Sequence, residues 1–312
     1  MPDSAILSKI VSREASIQKG IEKVVCSIQG DFSIIILAKE GIYASRGWGR
    51  KPLILGKKDK TYAVSSESCS FNNIGMEIER DVKPGETVLL NQGGIERVAQ
   101  LDLKPIKYGT FEWVYTANAS SVIEGVSVEK ARNRIGELMA EKYPVEADIV
   151  SAIPNSGIGH AIGYSHRSGI PYARVFVKYD YADRSYTQET QEERDREART
   201  KLLPIKENIK GMRIVIADDS IVRGTQMKTK ITLLKQLGAK EVHLRIGSAP
   251  LMSACKYGKT TRKDEECVAR RMSLSEISDS LEADSLAYAD FDIFEKAIGI
   301  PKENLCLECW SM

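Results

Sequence analysis

The sequence predicts an α/β protein: a parallel sheet flanked by helices over residues 106–312, preceded by a smaller layered β-region over residues 1–105. Three observations predict it. After about residue 105 strand-like and helix-like segments alternate, which is how a parallel sheet with helical crossovers reads. Before that point, short apolar strands follow one another through glycine-bearing turns. The length of 312 residues is long for one compact domain and comfortable for two.

In the first region, Leu7 to Val25 places Ile10, Ile17, Ile21 and Val24 at helical spacing and predicts one helix. Residues 31–38 (DFSIIILA) read as a buried strand, and Lys39-Glu40-Gly41 turns it into a second strand over 42–45. Further strands are expected at 52–55, 62–65 and 86–91, with Gly93-Gly94 supplying the next turn. In the second region the order is helix 127–143, strand 148–153, helix 158–168 and strand 173–178. Strand 213–217, helix 225–237 and strand 241–246 follow. Sheets of this kind bind ligands beyond the carboxyl ends of their strands. Residues 179–201 break the rhythm: they are highly charged and have no apolar face, so they read either as a solvated loop or as a lid.

Composition limits the function classes. Hydrophobic residues make up 42% and charged residues 28%, enough for a buried core in a globular chain. Forty-five basic against 43 acidic residues leave a formal charge of +2, which argues against a nucleic-acid or membrane surface, so any anion site must be local. No apolar run reaches the length of a membrane span, and Met1-Pro2-Asp3-Ser4 does not read as a signal peptide, so a cytoplasmic chain is expected. The six cysteines are then reduced thiols or metal ligands rather than disulfides, with Cys26 and Cys69 expected in core packing. His160, His166 and His243 share no ligand spacing and read as structural or surface residues.

One string carries the chemistry. Ile214-Val215-Ile216-Ala217 is a buried strand that runs into Asp218-Asp219-Ser220-Ile221-Val222-Arg223-Gly224-Thr225, and a helix follows. Adjacent carboxylates at a strand end accept hydrogen bonds from two ribose hydroxyls and suit magnesium, a hard cation that prefers oxygen ligands. The next turn offers backbone amides, two hydroxyls and a glycine at a helix N-terminus, a ready seat for a phosphate.

The string resembles the phosphoribosyl pyrophosphate (PRPP) motif of type I phosphoribosyltransferases, and Ser220 to Thr225 resembles that of glutamine PRPP amidotransferases in particular. Residues 66–69 (SESC), 111–115 (FEWVY), 238–243 (GAKEVH), 255–258 (CKYG) and 283–286 (ADSL) extend the resemblance along nearly the whole chain. It implies a type I phosphoribosyltransferase fold behind part of an N-terminal-nucleophile-type β-domain. The implied reaction, a step of purine synthesis, converts PRPP and ammonia to phosphoribosylamine and pyrophosphate with Mg2+ as cofactor. It makes Ile153-Pro154-Asn155-Ser156-Gly157 the pyrophosphate loop, with the Ser156 hydroxyl associated with magnesium. It makes Lys178, Tyr181, Arg184, Arg199 and Lys201 lid residues that close over PRPP, with Lys178, Tyr181 and Arg184 nearest the chemistry. Excluding water and neutralising a departing pyrophosphate both favour transfer at the anomeric carbon.

The chain also departs from that family. It shows no N-terminal cysteine nucleophile, and Asp3-Ser4-Ala5-Ile6 resembles an internal family segment in which an acid grips glutamine. The resemblance therefore implies either a separate glutaminase-half polypeptide or a repacked, self-associating remnant. The family's Arg-Pro-Asp-Ser is Asn118-Ala119-Ser120-Ser121 here, a basic lid position is Asp180, a proline is Glu189 and a second threonine is Gln226. Cys306-Leu307-Glu308-Cys309 with Cys255 resembles an iron–sulfur ligand set, but the fourth ligand position is Gly109, so a cluster and a vestigial thiol group both stand open. Two functions follow. One is the enzyme, favoured by the intact phosphate motif; the other is a non-catalytic sensor of PRPP or purine nucleotides, favoured by the altered lid and channel residues.

Overall fold

The computed structural model describes residues 2–28, 30–179, 202–261 and 263–311. The chain forms two compact units, Met1–Val128 with Ile300–Cys306 and Glu129–Gly299 with Leu307–Met312. Among the described residues no helix is long and apolar enough to cross a membrane.

The first unit is layered. Helices α1 (Asp3–Val11) and α2 (Ile17–Ser27) stand where the spacing predicted one. The break falls at Ser16, whose side chain accepts from Lys19 N at 3.2 Å and so caps a new helix rather than continuing the old one. Cys26 lies on the exposed side of α2, away from buried Ile21 and Val24, so it is not a core residue. Strands β1 (Ser33–Ala38), β2 (Gly41–Arg46), β3 (Ile54–Lys58) and β4 (Thr61–Ser65) follow, then the short helix α3 (Cys69–Asn73). Strands β5 (Glu77–Asp81), β6 (Glu86–Asn91) and β7 (Gly94–Gln100) complete two antiparallel sheets. Their orders are β1-β2-β6-β7 and β4-β3-β5. One face of the four-stranded sheet meets the helices through Phe32, Ile34 and Ile36. On the opposite face Ala44, Val88 and Leu90 pack against Leu53, Leu55 and Val82.

That inner face does not stop where its cover stops. The registers Ile35↔Ala44↔Val88 and Leu37↔Ile42↔Leu90 put Ile35 and Leu37 on the same side as the buried row. Yet Ile35 is 52% and Leu37 82% exposed. A two-residue pair, β8 (Val122–Ile123) and β9 (Val126–Ser127), follows, and residues 304–306 return to bracket Tyr108 by backbone bonds of 2.7 Å.

The second unit is a parallel sheet, ordered β10-β13-β14-β15. Helix α4 (Val128–Lys142) leads into β10 (Ile149–Ala152), and α5 (Ile158–Ser168) ends at Gly169 in the left-handed region (φ 75°). Strands β11 (Phe176–Lys178) and β12 (Leu202–Pro204) pair with each other antiparallel. The expected fifth parallel strand over 173–178 is thus reduced to one bridge, Val150↔Tyr172, before the chain turns away. Then come β13 (Arg213–Asp218), α6 (Thr225–Gln236), β14 (Glu241–Ile246), α7 (Leu274–Leu281), β15 (Ser285–Tyr288) and α8 (Phe291–Ile298). Ser273 and Glu276 form a reciprocal capping box on α7, and Asp290 caps α8. The core joins Ile214, Ile216, Val242, Leu244 and Ile246 to Met227, Ile231, Leu234, Ile277 and Leu281. Each such side chain contributes about 1.5–3 kcal/mol by leaving water. This core fixes the strands whose carboxyl ends carry the site.

Candidate active site

Asp218 is the last residue of β13 and Asp219 the first beyond it, and both are buried, at 6% and 7% exposure. The pair is held by backbone on its outer side: Gly247 N donates to Asp218 O and Ser248 N to Asp219 O, each at 2.8 Å. Within the pair, Asp219 N donates to Asp218 Oδ1 at 2.9 Å, and the Ser220 hydroxyl donates to Asp219 Oδ2 at 2.7 Å. Burial, and then the neighbouring Asp219 charge, push the Asp218 carboxyl up to about 8, with Lys230 opposing. Two acids held this closely away from water call for a cation.

The pyrophosphate-loop candidate lies directly beside them. Ile153 N donates to Ala217 O and Gly157 N to Ile153 O, each at 2.9 Å, which folds residues 153–157 back onto the end of β13. The Ser156 hydroxyl donates to Asp218 Oδ1 at 3.2 Å. Asn155 points to solvent, and the Pro154–Asn155 peptide is cis. Gly157 is obligatory: a Cβ there would lie 2.2 Å from Ala217 O.

Residues 220–225 form the turn into α6. Gly224 takes φ 81°, a left-handed conformation that glycine adopts without strain, and Thr225 opens the helix. Among the described residues no acceptor meets the backbone N–H groups of Ile221, Val222, Arg223, Gly224 or Thr225. Five consecutive open donors at a helix N-terminus are an arrangement that can receive an anion. Ile221 is buried and anchors the turn in the core, whereas the Arg223 side chain leaves the turn and pairs with Glu266.

The structure thus gathers Ser156, Gly157, Asp218, Asp219 and Ser220 through Thr225 at the carboxyl end of β13, with Asn155 on the adjoining loop. Lys178 is exposed at the end of β11. Tyr181, Arg184, Arg199 and Lys201, with Asp180 and Glu189, lie outside the described residues. Among the described residues no group of three His, Cys, Asp or Glu stands where it could hold a metal ion. At Gly109 an added Cβ would lie 2.4 Å from Arg50 O, so no fourth ligand fits there either. The magnesium candidates fit better: two buried carboxylates and a hydroxyl are the oxygen set that Mg2+ shares with substrate phosphates.

Sequence reasoning missed the outer supports Gly247, Ser248, Glu266 and Val268. The first two carry a legible signal, a Gly-Ser pair directly after a buried strand, while the last two come from a polar stretch with none.

No protein-family model matches the chain. It is 37% identical over 309 residues to an amidophosphoribosyltransferase of Archaeoglobus fulgidus, spanning 98% of this chain and 68% of that protein. It is 35% identical over 327 residues to that of Methanocaldococcus jannaschii, spanning 98% and 69%. The structure of glutamine PRPP amidotransferase from B. subtilis, in complex with ADP and GMP, superposes with a TM-score of 0.92 at 30% identity, over 99% of this chain and 70% of that one.

Proposed function

The chain belongs to the amidophosphoribosyltransferase family and is a phosphoribosyltransferase of purine biosynthesis, and from that premise we propose that it joins ammonia to the anomeric carbon of PRPP. The products are 5-phosphoribosylamine and pyrophosphate. The nitrogen lone pair forms the new C–N bond, the C–O bond to pyrophosphate breaks with its electrons, and nitrogen loses one proton. Its fold is that of the type I phosphoribosyltransferases behind part of an N-terminal-nucleophile-type β-domain.

The observation that carries the proposal is the buried Asp218–Asp219 pair running into five open backbone donors. Asp218 and Asp219 accept from the ribose hydroxyls, and with the Ser156 hydroxyl they would hold Mg2+, which when bound neutralises the leaving pyrophosphate. The turn Ser220–Thr225 seats the 5′-phosphate. The loop Asn155-Ser156-Gly157 receives the pyrophosphate. Lys178, Tyr181, Arg184, Arg199 and Lys201 are proposed to close over the substrate, excluding water and meeting the leaving group with positive charge. No iron–sulfur cluster enters this proposal, because among the described residues no group of three His, Cys, Asp or Glu is placed to hold a metal. A reducing cytoplasm suits a chain whose cysteines stand as thiols.

Ammonia is proposed to come from a separate glutaminase-half polypeptide. The support is the open row at Ile35 and Leu37, which continues an otherwise covered sheet-to-sheet core and suits apolar strands of a completing half-domain. Without that partner, the same face drives self-association into oligomers.

The test measures pyrophosphate and phosphoribosylamine formation by the purified chain with PRPP, Mg2+ and either ammonium salts or glutamine. Turnover with ammonium alone, rising with pH as ammonium becomes ammonia, is the expected result. Turnover with glutamine by the highly purified chain overturns the assignment of the nitrogen source. Failure to bind PRPP with Mg2+ overturns the function.

A further inference from the structure

A segment outside the acid pair and the phosphate turn holds that turn in place. Residues 264–268 run through two short 3-10 turns, Asp264–Glu266 and Val268–Arg270, and meet residues 222–223 at two points. Val268 N donates to Val222 O at 2.9 Å. Glu266 pairs with the Arg223 guanidinium and also accepts from the Thr261 hydroxyl. Both partners lower the Glu266 carboxyl below its ordinary range, the Thr261 hydroxyl most, so the pairing persists at neutral pH. The segment is itself anchored: Cys267 is fully buried, Asp264 accepts from Ala254 N at 2.8 Å, and Arg270 pairs with Asp264 at 2.6 Å.

The consequence lies in the peptide geometry. In a trans peptide the carbonyl and the following N–H point in opposite directions. With Val222 O committed to Val268, the Arg223 N–H is turned away from residues 264–268, onto the open side of the turn. The N–H groups of Gly224 and Thr225 likewise lack acceptors among the described residues. A guanidinium left loose beside this row would be free to swing across it, and Glu266 ties it back. We propose that Glu266 is a positioning residue for the 5′-phosphate seat, acting through Arg223 to hold the Val222–Arg223 peptide with its donor facing the ligand. The inference rests on the site reading given above and adds a residue that touches no ligand.

The test uses the full chain with Mg2+ and two probes titrated separately, ribose 5-phosphate and pyrophosphate. Glu266→Gln is expected to weaken ribose 5-phosphate about tenfold, equivalent to about 1.4 kcal/mol. Pyrophosphate affinity, which depends on residues 153–157, stays where it was, as does the thermal midpoint. Arg223→Gln produces the same shift, and the double variant adds nothing further, because the two side chains act as one device. Equal weakening of both probes, fully additive single variants, or no weakening at all overturns the assignment of Glu266. A wild-type chain that holds neither probe instead sinks the site reading, and this inference with it.

Discussion

The two units solve the same problem to different degrees. In the second, Ile214, Ile216, Val242, Leu244 and Ile246 are covered by α6 and α7, and the polar groups collect at the strand ends. In the first, one continuous apolar row is covered over Val88 and Leu90 and bare over Ile35 and Leu37. Sequence pattern looks the same in both places, a run of Ile, Leu and Val. Burial separates them, and burial decides what an apolar residue contributes: a buried apolar side chain is structural, while a bare apolar row next to a core is a surface that needs a cover.

The largest expected effect tests that contrast within one sheet. Leu90 and Leu37 lie in the same cross-strand row through Ile42. Leu90→Glu buries an unpaired charge and should cost about 4 kcal/mol or more, whereas Leu37→Glu should cost less than about 0.5 kcal/mol. Leu37→Glu should also suppress hydrophobic-dye binding and self-association by the isolated chain. Chemical denaturation with light scattering reads both, and equal costs would erase the distinction between covered and bare.

Next in size is the acid pair. Asp218→Asn together with Asp219→Asn should weaken Mg2+-dependent PRPP binding at least about a hundredfold, about 2.7 kcal/mol, with the fold retained. Calorimetric titration reads the affinity, and an unchanged value would move the site away from the end of β13.

Gly157→Ala sharpens the picture of the loop beside that pair. Its Cβ would sit 2.2 Å from Ala217 O, a backbone atom that cannot step aside. A loss of about 2 kcal/mol in stability is expected, together with weaker pyrophosphate binding. A fully stable variant with normal binding would show that the loop does not need its close approach.

The smallest effect has the opposite sign. Asp218 rises from 3.8 to about 8 in the folded chain, so its neutral form is favoured by the fold. That contribution is fully present below pH 4 and is lost as pH rises through 8, so metal-free stability should fall across this window. Asp218→Asn should flatten the fall and stabilise the metal-free chain at pH 7 by about 1 kcal/mol while removing function. Thermal midpoints against pH, with and without Mg2+, check it; a steeper fall in the variant would reverse the sign.

Much of this was legible in sequence because the signals were local. Helix 158–168 and strand 241–246 carry their own periodicity and stop signals, and both stand where the pattern put them. The string from Ile214 to Thr225 is legible because an apolar strand, two acids, a glycine-bearing turn and a helix follow one another along the chain, whereas two acids at a strand end would not suffice alone. The single helix over Leu7–Val25 failed for an equally local reason: Ser16 caps, and apolar spacing alone does not reveal a cap. The strands over 77–81 and 94–100 were missed because their apolar residues are too sparse to mark a strand without sheet neighbours.

The sequence by itself determined the chemistry on offer: two adjacent carboxylates, a glycine-bearing turn, a helix behind it and a sheet of alternating elements. Only tertiary structure decided what those groups experience. Burial of Asp218 against Asp219 raises its pKa, and Gly247 and Ser248, just past the end of β14, lock the pair through backbone bonds. Glu266 reaches Arg223 from 43 residues away. Leu37 is bare while Leu90 is covered. Each of these depends on which distant segment is neighbour to which, and desolvation, Coulomb interaction and packing all act through space, so no reading along the chain contains them.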